Sequence, residues 1–326
     1  MKTKKEKLSI ILRSLISFGL LVLLIWIMRD DIGGIARILK NSNKHYFIVG
    51  LCINVPMSIL LSYRLKLLMT GQKIFLPLKD FIYLTFIGFF FNNFLPTAIG
   101  GDIAKAYYAS KKTDNKVASY AAVLSDRLFG LLAFLFIATA GLIFIGKGFN
   151  NNKIIYAISF VFAALVFVAV LLFRKNKNTS ILSADSDKGA VNKIKIKLDK
   201  IYRAINSYRN NPFLIVKVVL LSILMQSFTI AGIYFFILSI GGYIPLLKLF
   251  LLIPIVWAVS MLPSLNGLGV RESAFVYFLK PDIGAERAFA ISLLWLGIII
   301  AYSLVGGILH MIYPVKVKSN CNVRGD

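Results

Sequence analysis

F-F-F-N-N-F-L-P-T-A-I-G-G-D-I-A-K, residues 89–105, and V-S-M-L-P-S-L-N-G-L-G-V-R-E, residues 259–272, decide how the rest of the chain is read. In each, an apolar run stops at Leu-Pro, a turn of small residues follows, and charged residues close it. Asp102 and Lys105 are the charges in the first copy, Arg271 and Glu272 in the second. Glycines flank them: Gly100 and Gly101 before Asp102, Gly267 and Gly269 before Arg271. Nearly everything else nearby is hydrocarbon. Broken backbone and charge at membrane depth are tolerated only where they face protein or water.

The composition supports a membrane setting. The 326 residues are 58% hydrophobic and 16% charged, with a mean hydropathy of +0.77. Apolar runs fall at about 8–28, 45–62, 78–95, 117–145, 153–173, 212–240, 245–262 and 284–313. A bilayer crossing takes about 20 apolar residues of helix. The expectation is one polytopic all-α membrane domain over 1–326, with no soluble catalytic domain. The first run follows a Lys-rich start without a small-residue cleavage site, and so reads as a retained helix.

A net charge of +24 would point to nucleic acid in a soluble protein. Here the bases sit in tails and loops, the positive-inside pattern, and no nucleic-acid partner is expected. The one long polar loop, 174–211, carries ten Lys or Arg against three Asp. Its second half spaces Val191, Ile194, Leu198, Ile201, Ile205 and Tyr208 as a helical stripe. That predicts a cytoplasmic amphipathic helix, lying on headgroups or docked on the bundle.

Charge parity then constrains topology. The N-terminal tail (Lys2, Lys4, Lys5, Lys7), the 174–211 loop and the C-terminal tail (Lys316, Lys318, Arg324) should all be cytoplasmic. Five crossings between the first two would put them on opposite sides. The 78–95 run, stopping at Leu95-Pro96, is therefore expected to be one limb of a re-entrant hairpin, and 245–281 to form a second one entering from the opposite face. The fold expected is about six crossing helices plus two broken-helix hairpins. With an odd number of crossings between them, the hairpins form an inverted repeat, the architecture of secondary transporters. Eight simple crossings are the alternative.

Chemistry is sparse. His45 and His310 lie far apart, and Cys52 and Cys321 form no CxxC. No metal site, no cofactor and no catalytic residue is expected, since no nucleophile elbow, P-loop or HExxH is present. Buried charge is what the chain does offer. Arg127 lies about ten residues into an apolar run, too deep to reach the interface freely. Asp126 beside it, or Asp102 across the bundle, is expected to offset it. If helices begin near the glycines, their free N–H groups add an anion-attracting end beside Lys105 and Arg271. Asn93, with Asn92, supplies uncharged polar groups.

These residues also carry a resemblance. Y-R-L-K-L-L (63–68), the 89–105 stretch, L-S-D-R-L-F-G-L (124–131) and L-P-S-L-N-G-L-G-V-R-E (262–272) resemble the transmembrane region of bacterial lysylphosphatidylglycerol synthases. Stand-alone relatives of that region are called flippase-like domain proteins. The resemblance implies transbilayer movement of a phosphate-bearing lipid, an aminoacyl-phosphatidylglycerol or a polyprenyl-phosphate lipid, in a bacterial or archaeal cytoplasmic membrane. It implies headgroup contacts from Asn93, Gly100, Gly101, Asp102, Lys105, Asp126, Arg127, Gly267, Gly269, Arg271 and Glu272. In the synthases a separate soluble domain makes the lipid by aminoacyl transfer. The 13 residues after Tyr313 are too few to hold one, so aminoacyl transfer is expected only as the membrane half of a split system with a soluble aminoacyltransferase partner; a non-transporting envelope scaffold is the other alternative. Lys105 departs from an expected arginine and loses its bidentate fork. Trp295 and Leu296 stand where many relatives carry an arginine.

Overall fold

The computed structural model describes residues 32–94, 100–113, 115–145, 200–262, 264 and 267–312, together with Trp26. The expected crossings at 8–28 and 153–173 lie outside the described residues. Nine α-helices follow in order among those described: α1 (Ile32–Lys40), α2 (Lys44–Gly71), α3 (Leu78–Phe94), α4 (Gly100–Thr113), α5 (Lys116–Ile145), α6 (Pro212–Ser239), α7 (Leu246–Ser260), α8 (Val270–Ile283) and α9 (Ala285–Ile312). A helical segment at 200–206 and a 3-10 turn at Ser207–Asn210 precede α6.

Length sorts these helices into two kinds. α2, α5, α6 and α9 have 28, 30, 28 and 28 residues. At about 1.5 Å per residue each exceeds the ~30 Å hydrocarbon core, and all four are apolar enough to cross it. α3, α4, α7 and α8 have only 17, 14, 15 and 14 residues. At roughly 21–26 Å none spans the core alone. The protein is thus an all-helical polytopic membrane protein whose short helices pair as two broken hairpins.

The order long, short, short, long occurs twice, as α2–α5 and α6–α9. The corresponding long helices α2 and α6 pack along one another. Gly50 of α2 meets Phe236 of α6, and Gly71 meets Leu214, so the two run antiparallel. The second unit is therefore inverted with respect to the first. Each unit also lends its first short limb to the other: α3 packs on α9 and α7 packs on α5. Glycines on the long helices permit this. A Cβ on Gly306 would strike the Phe86 carbonyl, and one on Gly141 would come within 3.0 Å of the Leu251 backbone. No side-chain rotation could relieve either clash.

Two apolar clusters match the two units. One joins α6 through α9 around Phe236, Phe275 and Trp295. The other joins α2, α3 and α5 around Leu68, Phe81 and Phe129. The 200–210 segment closes the second cluster from below. Ile205 and Tyr208 are 4% and 2% exposed, the Tyr208 hydroxyl donates to the Leu68 carbonyl at 2.8 Å, and Gln72 donates to the Ala204 carbonyl. This end of the expected stripe is docked on the bundle rather than lying on headgroups. Tyr208→Phe removes one buried hydrogen bond and should cost about 1 kcal/mol in detergent unfolding.

The inverted arrangement sets a topology test. The α2–α3 and α6–α7 turns occupy corresponding places, and expose Phe75 and Tyr243 respectively. Cysteines there, with Cys52 and Cys321 replaced, should react with an impermeant maleimide from opposite sides of the membrane. One structural correction concerns the run expected to end at 62. Its helix continues to Gly71, which carries Arg64 into the interior at 4% exposure. Along this stretch α6 packs against the helix, with Ser222 accepting from Arg64 and Leu214 beside Gly71.

Candidate functional site

Each hairpin brings its charged turn inward by a different backbone device. In the first, α3 ends at Phe94 and α4 begins at Gly100. Gly88 and Gly101 let the limbs touch: a Cβ on Gly101 would run into the Gly88 carbonyl and the Asn92 side chain, and one on Gly88 into the Lys105 stem. In the second, α7 ends at Ser260 and α8 begins at Val270. The turn between uses Gly267 and Gly269 at φ +78° and +80°, where a side chain is strained. Pro96 and Pro263, the expected helix breakers, lie outside the described residues.

One N–H at each helix start is satisfied from within its own hairpin. The Asn92 Oδ1 accepts from the Gly101 N–H at 2.8 Å. The Glu272 Oε2 accepts from the Gly269 N–H at 2.6 Å. A capped N–H has no lone donor left to offer.

Four bases and three acids form three ion clusters, two of them buried and the one at Asp102 partly so. Arg127 and Lys105 share Asp102, with Lys105 Nζ 3.4 Å from its carboxylate. Arg64 Nε lies 2.6 Å from Asp126 and its Nη1 donates to the Ser222 hydroxyl at 3.0 Å. Arg271 gives two hydrogen bonds, 3.1 and 2.6 Å, to the Oε1 of Glu272. Arg271 and Glu272 side chains are 3% and 0% exposed. Each acid is held by at least one base, as buried charge requires. Of the two partners expected for Arg127, the structure selects Asp102 across the bundle, and Asp126 serves Arg64 instead, because adjacent residues project about 100° apart.

A cavity of about 370 Å³ lies at the meeting point of all these clusters. All eight helices of the two units contribute to its wall. Arg64, Asp102, Lys105, Asp126, Arg127 and Arg271 line it, with Asn92 and Gln226 between them. Its apolar wall includes Phe134, Trp257, Trp295 and Tyr302. The volume lies within the usual range for small-ligand sites. Among the described residues no group of three His, Cys, Asp or Glu is placed to hold a metal ion.

Of the residues singled out in the sequence, Asp102, Lys105, Asp126, Arg127, Gly267 and Arg271 are brought together on this wall. Gly100, Gly101 and Gly269 are buried in the turns behind it, and Glu272 backs Arg271. Asn93 is exposed on the far side of α3, and its neighbour Asn92 faces the cavity instead. Sequence reasoning missed Arg64. The signal was present in Y-R-L-K-L-L, but a hydropathy window ends the run just before an arginine. It also missed three orphaned groups on the wall: Asn54 Oδ1 and the indole nitrogens of Trp257 and Trp295 have no hydrogen-bond partner among the described residues.

Comparison with known proteins agrees with this architecture. The family described as "Lysylphosphatidylglycerol synthase TM region" matches residues 10–306. A "UPF0104 membrane protein" of Pyrococcus horikoshii is 26% identical over 330 residues, covering 90% of this chain and 95% of that protein. A protein of the same description from Methanocaldococcus jannaschii is 24% identical over 313 residues, covering 90% and 91%. No solved structure matches the chain significantly.

Proposed function

The chain belongs to the lysylphosphatidylglycerol synthase transmembrane-region family, and from that premise we propose that it moves a phosphate-bearing lipid between the leaflets of a cytoplasmic membrane. One observation carries the reading: a single cavity, walled by both hairpins of an inverted repeat, holds Arg64, Lys105, Arg127 and Arg271 against Asp102, Asp126 and Glu272. Four bases among three acids leave one positive charge for the phosphate. The lipid tails stay in the bilayer while the headgroup crosses through the protein.

The shared carboxylate supplies a working cycle. Asp102 holds Lys105 and Arg127 while the cavity is empty. An entering phosphate accepts hydrogen bonds from the same two cations, so Asp102 is exchanged for the ligand at little net electrostatic cost. Rocking of one hairpin unit against the other then opens the cavity to alternate sides. On this reading the bases of one end, Lys73, Lys79, Lys111, Lys112, Lys116 and Arg209, face the cytoplasm, as do both termini.

The test is headgroup translocation in proteoliposomes containing a fluorescent phosphate-bearing lipid, read by quenching of the outer leaflet. Accelerated equilibration relative to protein-free vesicles is expected. Equal rates with and without folded protein would sink the proposal.

A further inference from the structure

A second pocket, of about 420 Å³, lies where α1 and α6 end and α2 and α9 begin. It shares no wall residue with the central cavity. Arg37, Ile38, Asn41, Asn43, Arg287 and residues 238–241 line it. α1 is seated on the start of α9. Ile35 is 4% exposed, within the apolar cluster of the second unit, and a Cβ on Gly34 would come within 3.0 Å of the Glu286 carboxylate. The Asn43 N–H donates to the Ser239 carbonyl at 2.7 Å, which ties the start of α2 to the end of α6. Packing thus brings Arg37 and Arg287 to one pocket from different helices.

The donors of this pocket are uncommitted. Neither guanidinium, nor the Asn41 amide, makes a side-chain hydrogen bond or ion pair among the described residues. Asn43 uses its Oδ1 to accept from the His45 N–H at 3.0 Å and keeps its amide donors. The end of α6 does not call on any of them. The carbonyls of Phe236, Ile237, Leu238 and Ser239 accept instead from the backbone N–H groups of Ile240, Gly242, Gly241 and Asn43. No acid lines the pocket. Glu286, the acid beside Arg287, lies against Gly34 in the first turn of α1, a favourable place for a carboxylate.

Charge placement adds an independent argument. Lys73, Lys79, Lys111 and Lys112 lie at the other end of the long helices, where the positive-inside rule accounts for them. Arg37, Lys40, Lys44 and Arg287 gather at the end where that rule expects few bases. The 28-residue α2, α6 and α9 overshoot the ~30 Å hydrocarbon core, so the pocket opens at the level of the headgroups.

We infer that this pocket is a second anion site, for a phosphomonoester or inorganic phosphate, on the face opposite the Lys-rich turns. Two guanidinium forks on different helices need an anion with oxygens for both, and the asparagine amides need one more. A phosphomonoester presents three strong acceptor oxygens; a carboxylate presents fewer. The phosphate comes either from a lipid whose headgroup is a bare phosphate or from solution. The site stands apart from the lipid-moving reading and does not depend on it.

The test uses Ile38→Cys, a half-buried wall position, in the full chain with Cys52 and Cys321 replaced. Its rate of reaction with N-ethylmaleimide, an uncharged reagent, is read in proteoliposomes. Tyr243→Cys, exposed beyond the same end of α6, is the reference for surface effects. In phosphatidylcholine vesicles, inorganic phosphate on both sides, at constant ionic strength, should slow Ile38→Cys and spare Tyr243→Cys. The factor should reach about ten-fold at ten times the dissociation constant. Acetate should protect far less. In vesicles containing phosphatidic acid, protection without added phosphate assigns the lipid as source; protection by dissolved phosphate alone assigns the soluble anion. Arg37→Gln with Arg287→Gln should abolish protection in both arms. Both side chains are exposed, so an unchanged unfolding temperature is expected and reports an intact fold. Absence of protection in both arms, equal protection by acetate, or protection that survives the double variant would overturn the inference.

Discussion

Arg271→Gln should lose headgroup translocation and roughly 3–5 kcal/mol of stability together, the cost of breaking a buried ion pair from one side. Glu272 is fully buried and would keep a single hydrogen bond, from the Gly269 N–H. An unpaired carboxylate in that position is costly. The α8 start, which Glu272 caps, is then disturbed. Arg271→Gln with Glu272→Gln separates the two effects. The amide can still accept from Gly269, no charge is stranded, and most of the stability should return on thermal unfolding in detergent. Translocation should not return, because the cation on the wall is gone. Native-rate translocation by the folded double variant would remove Arg271 from headgroup recognition.

Gly101→Ala should destabilise the fold by about 1–3 kcal/mol, the usual range for overpacking. The added methyl meets the Gly88 carbonyl and Asn92 at once. Backbone cannot rotate away, so α3 and α4 must separate and the Asn92 cap on Gly101 is strained. Lys105, whose stem lies over Gly88, is displaced from Asp102, so translocation should fall as well. Gly297→Ala is the control. It sits mid-helix in α9 with nothing within 4 Å of its new Cβ, and alanine is the better helix former by about 1 kcal/mol. Opposite signs at these two glycines are expected in the same unfolding assay. Equal effects would mean that the hairpin contact is not tight.

Much of this was legible before any coordinates. Leu-Pro followed by glycines and charge, twice, marks broken helices because no other pattern excuses charge in hydrocarbon. Counting basic loops gave the parity that makes the units inverted. Arg127 stood out because it lies about ten residues into an apolar run. Arg64 did not, since Lys66 and Lys73 follow it and the stretch looks like an interfacial loop. Only the antiparallel α6 beside it shows that α2 continues to Gly71 and buries its guanidinium on Asp126.

Local pattern, then, determined where the two hairpins break and which charges are buried, Arg64 excepted, since hydropathy and backbone sterics act within a few residues of one another. Pairing could not be read that way. That Asp126 serves Arg64, which of two carboxylates serves Arg127, and that Trp257 meets Trp295 are contacts between different helices. Those choices follow from how two inverted units exchange their short limbs, and the exchange exists only once all eight helices are packed.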